Sequence, residues 1–66
     1  MGQESIAFVV GRWTGTHRIQ VKLEDGRYEV VESPDSSADD VEPGDPVVVF
    51  LGAEGGAVDW RPARAA

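Results

Sequence analysis

The sequence predicts an all-β domain, a small barrel of five short strands. Three observations carry this expectation. Arg18-Ile19-Gln20-Val21-Lys22-Leu23 alternates polar and aliphatic residues with a period of two, the signature of a half-buried strand. It runs into Glu24-Asp25-Gly26, and Asp-Gly between alternating runs is a strong hairpin signal. Further short runs rich in β-formers follow one another between Gly and Pro turns, with no helical stripe of useful length among them.

The elements follow in order. Ile6 to Trp13 reads as a first strand, with Phe8, Val9 and Val10 in succession. Gly11 and Gly15 flank Arg12-Trp13-Thr14, and a glycine inside a strand marks a bulge or a sharp bend. Thr16 to Leu23 is the second strand, with Ile19, Val21 and Leu23 facing in and Arg18, Gln20 and Lys22 facing out. Arg27 to Glu32 returns as the third, with Tyr28 and Val30 on one face; the adjacent Val30 and Val31 leave its register open to a slip of one.

Ser33 to Asp45 reads as a polar loop holding Pro34, Pro43 and Gly44, in which a short helical turn can open at Ser36 or Ser37. Pro46 to Leu51 is the fourth strand, since proline is tolerated at a strand's first residue. Val47, Val49 and Leu51 take its inner face, which turns Val48 and Phe50 outward. Glu54-Gly55-Gly56 makes a turn, Ala57 to Arg61 is the fifth strand, and Pro62 ends it. Residues 1–62 form one domain and 63–66 a frayed tail.

A chain of 66 residues is long enough for one small core and no more. A domain of this size buries only about 60% of its unfolded surface. It has no cysteine, hence no disulfide and no thiolate metal site, and a single His17 does not build a zinc site. No apolar run approaches the roughly 20 residues of a membrane helix. The start, Met1-Gly2-Gln3-Glu4-Ser5, is not a signal peptide. These absences lead us to expect a cytoplasmic protein with no membrane partner.

The net charge is −6, which disfavours indiscriminate binding to nucleic acid. Its distribution is uneven. Residues 12–27 hold Arg12, Arg18, Lys22 and Arg27 against Glu24 and Asp25, a net +2; the remainder holds two arginines against ten carboxylates, a net −8.

Three segments then occur together: Arg18 to Leu23 running into Glu24-Asp25-Gly26, Val41-Glu42-Pro43-Gly44-Asp45 feeding Pro46 to Leu51, and Gly56-Ala57-Val58-Asp59-Trp60-Arg61 after a glycine turn. Their order, over roughly residues 9 to 61, resembles the S1-like OB fold, and within it bacterial translation initiation factor 1. The resemblance implies a five-stranded OB-like barrel; the alternative topology for such a chain is an SH3-like barrel. Two features depart from the family. Its loop between the third and fourth strands is basic, whereas Ser33 to Glu42 here is acidic, and its outward positions on the fourth strand are polar, whereas Val48 and Phe50 are apolar. A fold can carry over without its function.

No nucleophile elbow, Cys-His pair, phosphate-binding glycine loop or metal spacing is present, and no enzymatic activity is expected. The loop acids Asp35, Asp39, Asp40, Glu42 and Asp45 lack the spacing of a calcium loop and read as a solvated segment, so no metal or other cofactor is expected. Two binding functions remain. OB folds bind single strands on the face of their second and third strands by aromatic stacking and a basic track. Here that role falls to Trp13, His17, Arg18, Lys22, Arg27 and Tyr28, with single-stranded RNA or DNA as partner. The alternative is a protein-interaction domain with Val48 and Phe50 as its apolar centre, the chain being a monomer or a weak homodimer.

Overall fold

The computed structural model describes residues 3–63. Five strands follow in chain order, β1 (Gln3–Arg12), β2 (Arg18–Leu23), β3 (Tyr28–Glu32), β4 (Pro46–Leu51) and β5 (Ala57–Pro62), with one 3-10 turn at Ala38–Asp40 between β3 and β4. They form one antiparallel sheet in the order β3-β2-β1-β4-β5. The two outer strands, β3 and β5, come back into contact, so the sheet curls into a small OB-like barrel left open along that seam. An SH3-like barrel would pair β3 with β4. Here β4 lies beside β1, which removes that alternative.

The strand boundaries differ from the expected ones where pairing overrides local pattern. β1 starts at Gln3 rather than Ile6, because residues 3–8 pair continuously with Pro46–Leu51 of β4. At its other end Trp13 leaves the ladder, and β2 starts at Arg18 rather than Thr16. In the intervening turn Thr16 donates to Trp13 O through both its backbone N–H (3.2 Å) and its hydroxyl (2.6 Å), and Thr16 O accepts from Ala38 N of the loop after β3 (2.9 Å). The third strand begins at Tyr28 and the fifth runs on to Pro62, one residue off the expected ends. The tail expected at 63–66 lies, from residue 64 on, outside the described residues.

Four glycines among the described residues have positive φ, and two of them make the turns that lead into β3 and β4. Gly26 has φ +92°, and the bonds from Gly26 N to Leu23 O (2.9 Å) and from Leu23 N to Arg27 O (2.8 Å) make a three-residue hairpin loop rather than a two-residue one. Gly44 has φ +95° after Pro43, with Asp45 N bonded to Glu42 O at 3.0 Å, as a type II turn requires. The Gly44 turn also docks on β1: Gly44 N donates to Val9 O at 2.7 Å, and Val9 N donates to Asp45 O at 3.0 Å.

The core takes Ala7 and Val9 from β1, Ile19, Val21 and Leu23 from β2, Val31 from β3, Val47 and Val49 from β4, and Trp60 from β5. Leu51 and Ala57 pack against it. The loop read from sequence as polar adds Ala38 and Val41, both buried. Trp60 is fully buried, its indole N–H donating to His17 O at 3.1 Å. A buried indole needs such an acceptor, and the chain supplies a backbone carbonyl.

The seam is closed by side chains rather than by a ladder. On the β5 edge, Asp59 accepts from Trp60 N (2.8 Å), the Ser36 hydroxyl donates to Trp60 O (2.9 Å), and Glu29 of β3 accepts from Ala57 N (3.4 Å). Pro62 has no N–H to offer. This blunts an edge strand that would otherwise present free backbone groups to another chain.

Candidate nucleic-acid interface

The outer face of β1, β2 and β3 is built by the pairing register. Lys22 stands opposite Tyr28 on one side and Phe8 on the other, so Tyr28, Lys22 and Phe8 form one row across three strands. Gln20 stands opposite Val30, and Arg18 opposite Glu32. Tyr28 is 58% exposed, Val30 51% and Phe8 50%. These are large apolar groups on the open side of a sheet whose other side holds the core. The expected alternation of β2 is present, with Ile19, Val21 and Leu23 buried.

A bulge shapes the far end of this face. The register between β1 and β2 shifts between Val9 and Gly11. Val10 is the extra residue and is exposed, and Gly11 comes to stand opposite Gln20. Strict alternation would turn Gly11 inward and Arg12 outward. The bulge reverses both. Arg12 stands opposite the buried Ile19, and its guanidinium donates to Val41 O and, at 3.5 Å, to Ala38 O. This arginine, one of the four basic residues in the stretch 12–27, clamps the loop after β3 and is not on the outer face.

The remaining cations are placed unequally. Arg18 lies over the Trp13 ring, 5.5 Å from its centre, and pairs with Glu32 at 3.3 Å. Lys22 lies over the Tyr28 ring at 5.8 Å and makes no ion pair among the described residues. The two cation–aromatic pairs stand four residues apart on one strand, about 13 Å by strand rise. Arg27 lies at the hairpin tip. It pairs with Asp25 at 2.7 Å and Glu29 at 3.8 Å, and donates to Gly55 O at 3.3 Å. It lines a hollow of about 510 Å³ at the seam, with Glu29, Glu54 and Val58, rather than the face. The Asp25 carboxyl is held below its ordinary 3.8, first by the Arg27 backbone N–H and further by the Arg27 guanidinium.

Of the six residues expected at a nucleic-acid site, the structure gathers Trp13, Arg18, Lys22 and Tyr28 on one face. His17 is turned the other way: its Nδ1 donates to Ser36 O at 2.8 Å, joining the first loop to the loop after β3. Arg27 is at the tip. Phe8, Val10 and Val30 also belong to the face; the alternation of the third strand sets Val30 with Tyr28, whereas Phe8 and Val10 are not assigned to the face from the sequence. The signal for these two is weak, because residues 6–10 are apolar without interruption and period two is invisible in such a run.

The residues expected at a protein interface, Val48 and Phe50, do face outward, between the buried Val47 and Val49. Both are half-buried, and the Arg61 guanidinium lies over the Phe50 ring at 5.5 Å. The acidic loop is folded against the barrel: Asp39 accepts from Gly15 N (3.0 Å) and Asp45 from Glu42 N (3.0 Å). Among the described residues no three His, Asp or Glu side chains converge as a metal site would need. No helix among them is long and apolar enough to cross a membrane.

Comparison with protein-family models, with curated proteins and with solved structures found no match to this chain.

Proposed function

We propose that the outer face of β1, β2 and β3 is a non-catalytic platform for single-stranded RNA or DNA, on an OB-like scaffold of the kind seen in translation initiation factor 1. The observation that carries this reading is the pair of ring–cation units, Trp13 with Arg18 and Tyr28 with Lys22, set about 13 Å apart on one open strand face. Bases stack on exposed rings whatever their sequence, and cations beside those rings meet the phosphates. Val10 and Val30 lay an apolar floor between the two units, and Phe8 flanks Lys22 in the Tyr28 row. The acidic remainder of the molecule repels a polyanion, so binding is weak and confined to this face.

The protein-interface reading of Val48 and Phe50 has less to rest on, since both are half-buried while Phe8, Tyr28 and Val30 are exposed.

Trp13 is exposed and Trp60 is buried, so quenching of the exposed indole reports occupancy directly. Titration with short single-stranded oligonucleotides at low salt is expected to quench the Trp13 emission saturably. Tyr28→Ala should weaken binding by about 5- to 150-fold, the worth of one stacked base at 1–3 kcal/mol, with the fold intact. No saturable change at low salt for either RNA or DNA would end the proposal.

A further inference from the structure

A second feature lies on the outer surface one pleat along β1 from Phe8. A groove of about 310 Å³ is lined by Glu4, Ser5, Ile6, Glu24 and Val48. The register explains it. Ala7 stands opposite Leu23, which places Glu24 beside Ile6, and Ile6 stands opposite Val48 on the other side. Ile6 and Val48 therefore form an apolar floor, with Glu24 at one end and Glu4, on the same face of β1, at its flank. Ile6 is 40% exposed, although it is a large aliphatic group. Neither the Glu4 nor the Glu24 carboxylate takes part in an ion pair or side-chain hydrogen bond among the described residues.

We infer that this groove docks a basic segment of a partner polypeptide. One lysine or arginine of that segment lays its aliphatic stem on Ile6 and Val48 and sets its charged head between the Glu4 and Glu24 carboxylates. Long cationic side chains cover apolar surface with their stems and keep their heads among polar groups, which is the division this groove offers. Lys22 and Arg61, which the register sets beside the groove, are already engaged: Lys22 lies over Tyr28, and Arg61 over Phe50. Asp59, opposite Phe50, adds a third carboxylate to the neighbourhood. A phosphate backbone is repelled by this arrangement. A second copy of the chain would bring its own charge of −6 to the contact. The same charge attracts a basic partner at long range. The groove borders the nucleic-acid platform at Phe8 but shares none of its residues, so occupancy of one does not require the other.

The test is an NMR titration of the isotopically labelled full chain, at low salt, with a blocked heptapeptide of alternating lysine and valine. The same peptide with glutamate in place of lysine serves as control. The expected result is saturable shifts centred on the Ile6 and Val48 methyl groups, with none from the acidic peptide. Glu4→Gln combined with Glu24→Gln should weaken binding by about fivefold, the worth of two exposed ion pairs. Ile6→Lys, which places a cation of the chain's own on the groove floor, should remove the shifts. Both variants change exposed residues, and an otherwise unchanged spectrum checks that they fold. Shifts centred on residues 35–45, equal binding of the acidic peptide, or unchanged affinity in either variant would overturn the proposal.

Discussion

The salt dependence of oligonucleotide binding follows from where the cations lie. Four basic residues are spread over the stretch 12–27, but only Arg18 and Lys22 stand on the outer face. Arg12 is turned to Val41 O by the bulge, and Arg27 is engaged by Asp25 and Glu29 at the hairpin tip. Each phosphate neutralised on a single strand contributes about −0.7 to the slope of log K against log salt. Two cations give about −1.4, so a fourfold rise in salt should lower affinity about sevenfold; four cations would give about −2.8 and a loss of roughly fiftyfold. Lys22→Ala should reduce the slope by about 0.7, because Lys22 has no carboxylate partner among the described residues. Arg18→Ala should reduce it by less, because Glu32 already holds that guanidinium at 3.3 Å. The assay is Trp13 quenching, or anisotropy of a labelled oligonucleotide, at five or more salt concentrations. A slope as steep as four cations require, or one unmoved by Lys22→Ala, would refute the placement of the phosphate track on β2.

Two further predictions concern stability and pH. Arg12→Met keeps the stem and removes the charged donor to Val41 O, which should cost about 2 kcal/mol and lower Tm by about 8–16 °C for a domain of this size, while leaving oligonucleotide affinity unchanged. Calorimetry on the variant checks it, and a fall in affinity without loss of stability would place Arg12 on the binding face. The depressed pKa of Asp25 means that its contribution is fully present above the unfolded value near 3.8 and is lost as pH falls through the lower folded value. Asp25→Asn should therefore flatten the acid limb of a stability–pH curve below about pH 4 and leave its neutral and basic parts parallel to the parent's; an unchanged acid limb would show that the Arg27 contacts do not bias that carboxyl.

Local chemistry determined a good deal here. Period-two alternation is a statement about two faces, so Arg18 to Leu23 had to present Ile19, Val21 and Leu23 to one side and its polar residues to the other. Pro46 and the valines after it marked β4 with its inner and outer sets correctly divided. Asp25-Gly26 and Pro43-Gly44 marked turns because only glycine adopts their positive φ without strain. What local chemistry left open was which face becomes the core when a run is apolar on both sides. Residues 6–10 offer Ile6, Phe8 and Val10 or Ala7 and Val9. The smaller set, Ala7 and Val9, went inside, and the registers of β1 with β2 and β4 fixed that choice by setting Val9 opposite Val21 and Ala7 opposite Val47. The same pairing decided that Trp60 is the buried aromatic and Tyr28 the exposed one. It also decided that one extra residue at Val10 sends Arg12 to the loop and leaves glycine on the platform. Such outcomes depend on registers between strands distant in sequence. Each strand specifies its own two faces, and only assembly of the sheet settles which face is covered.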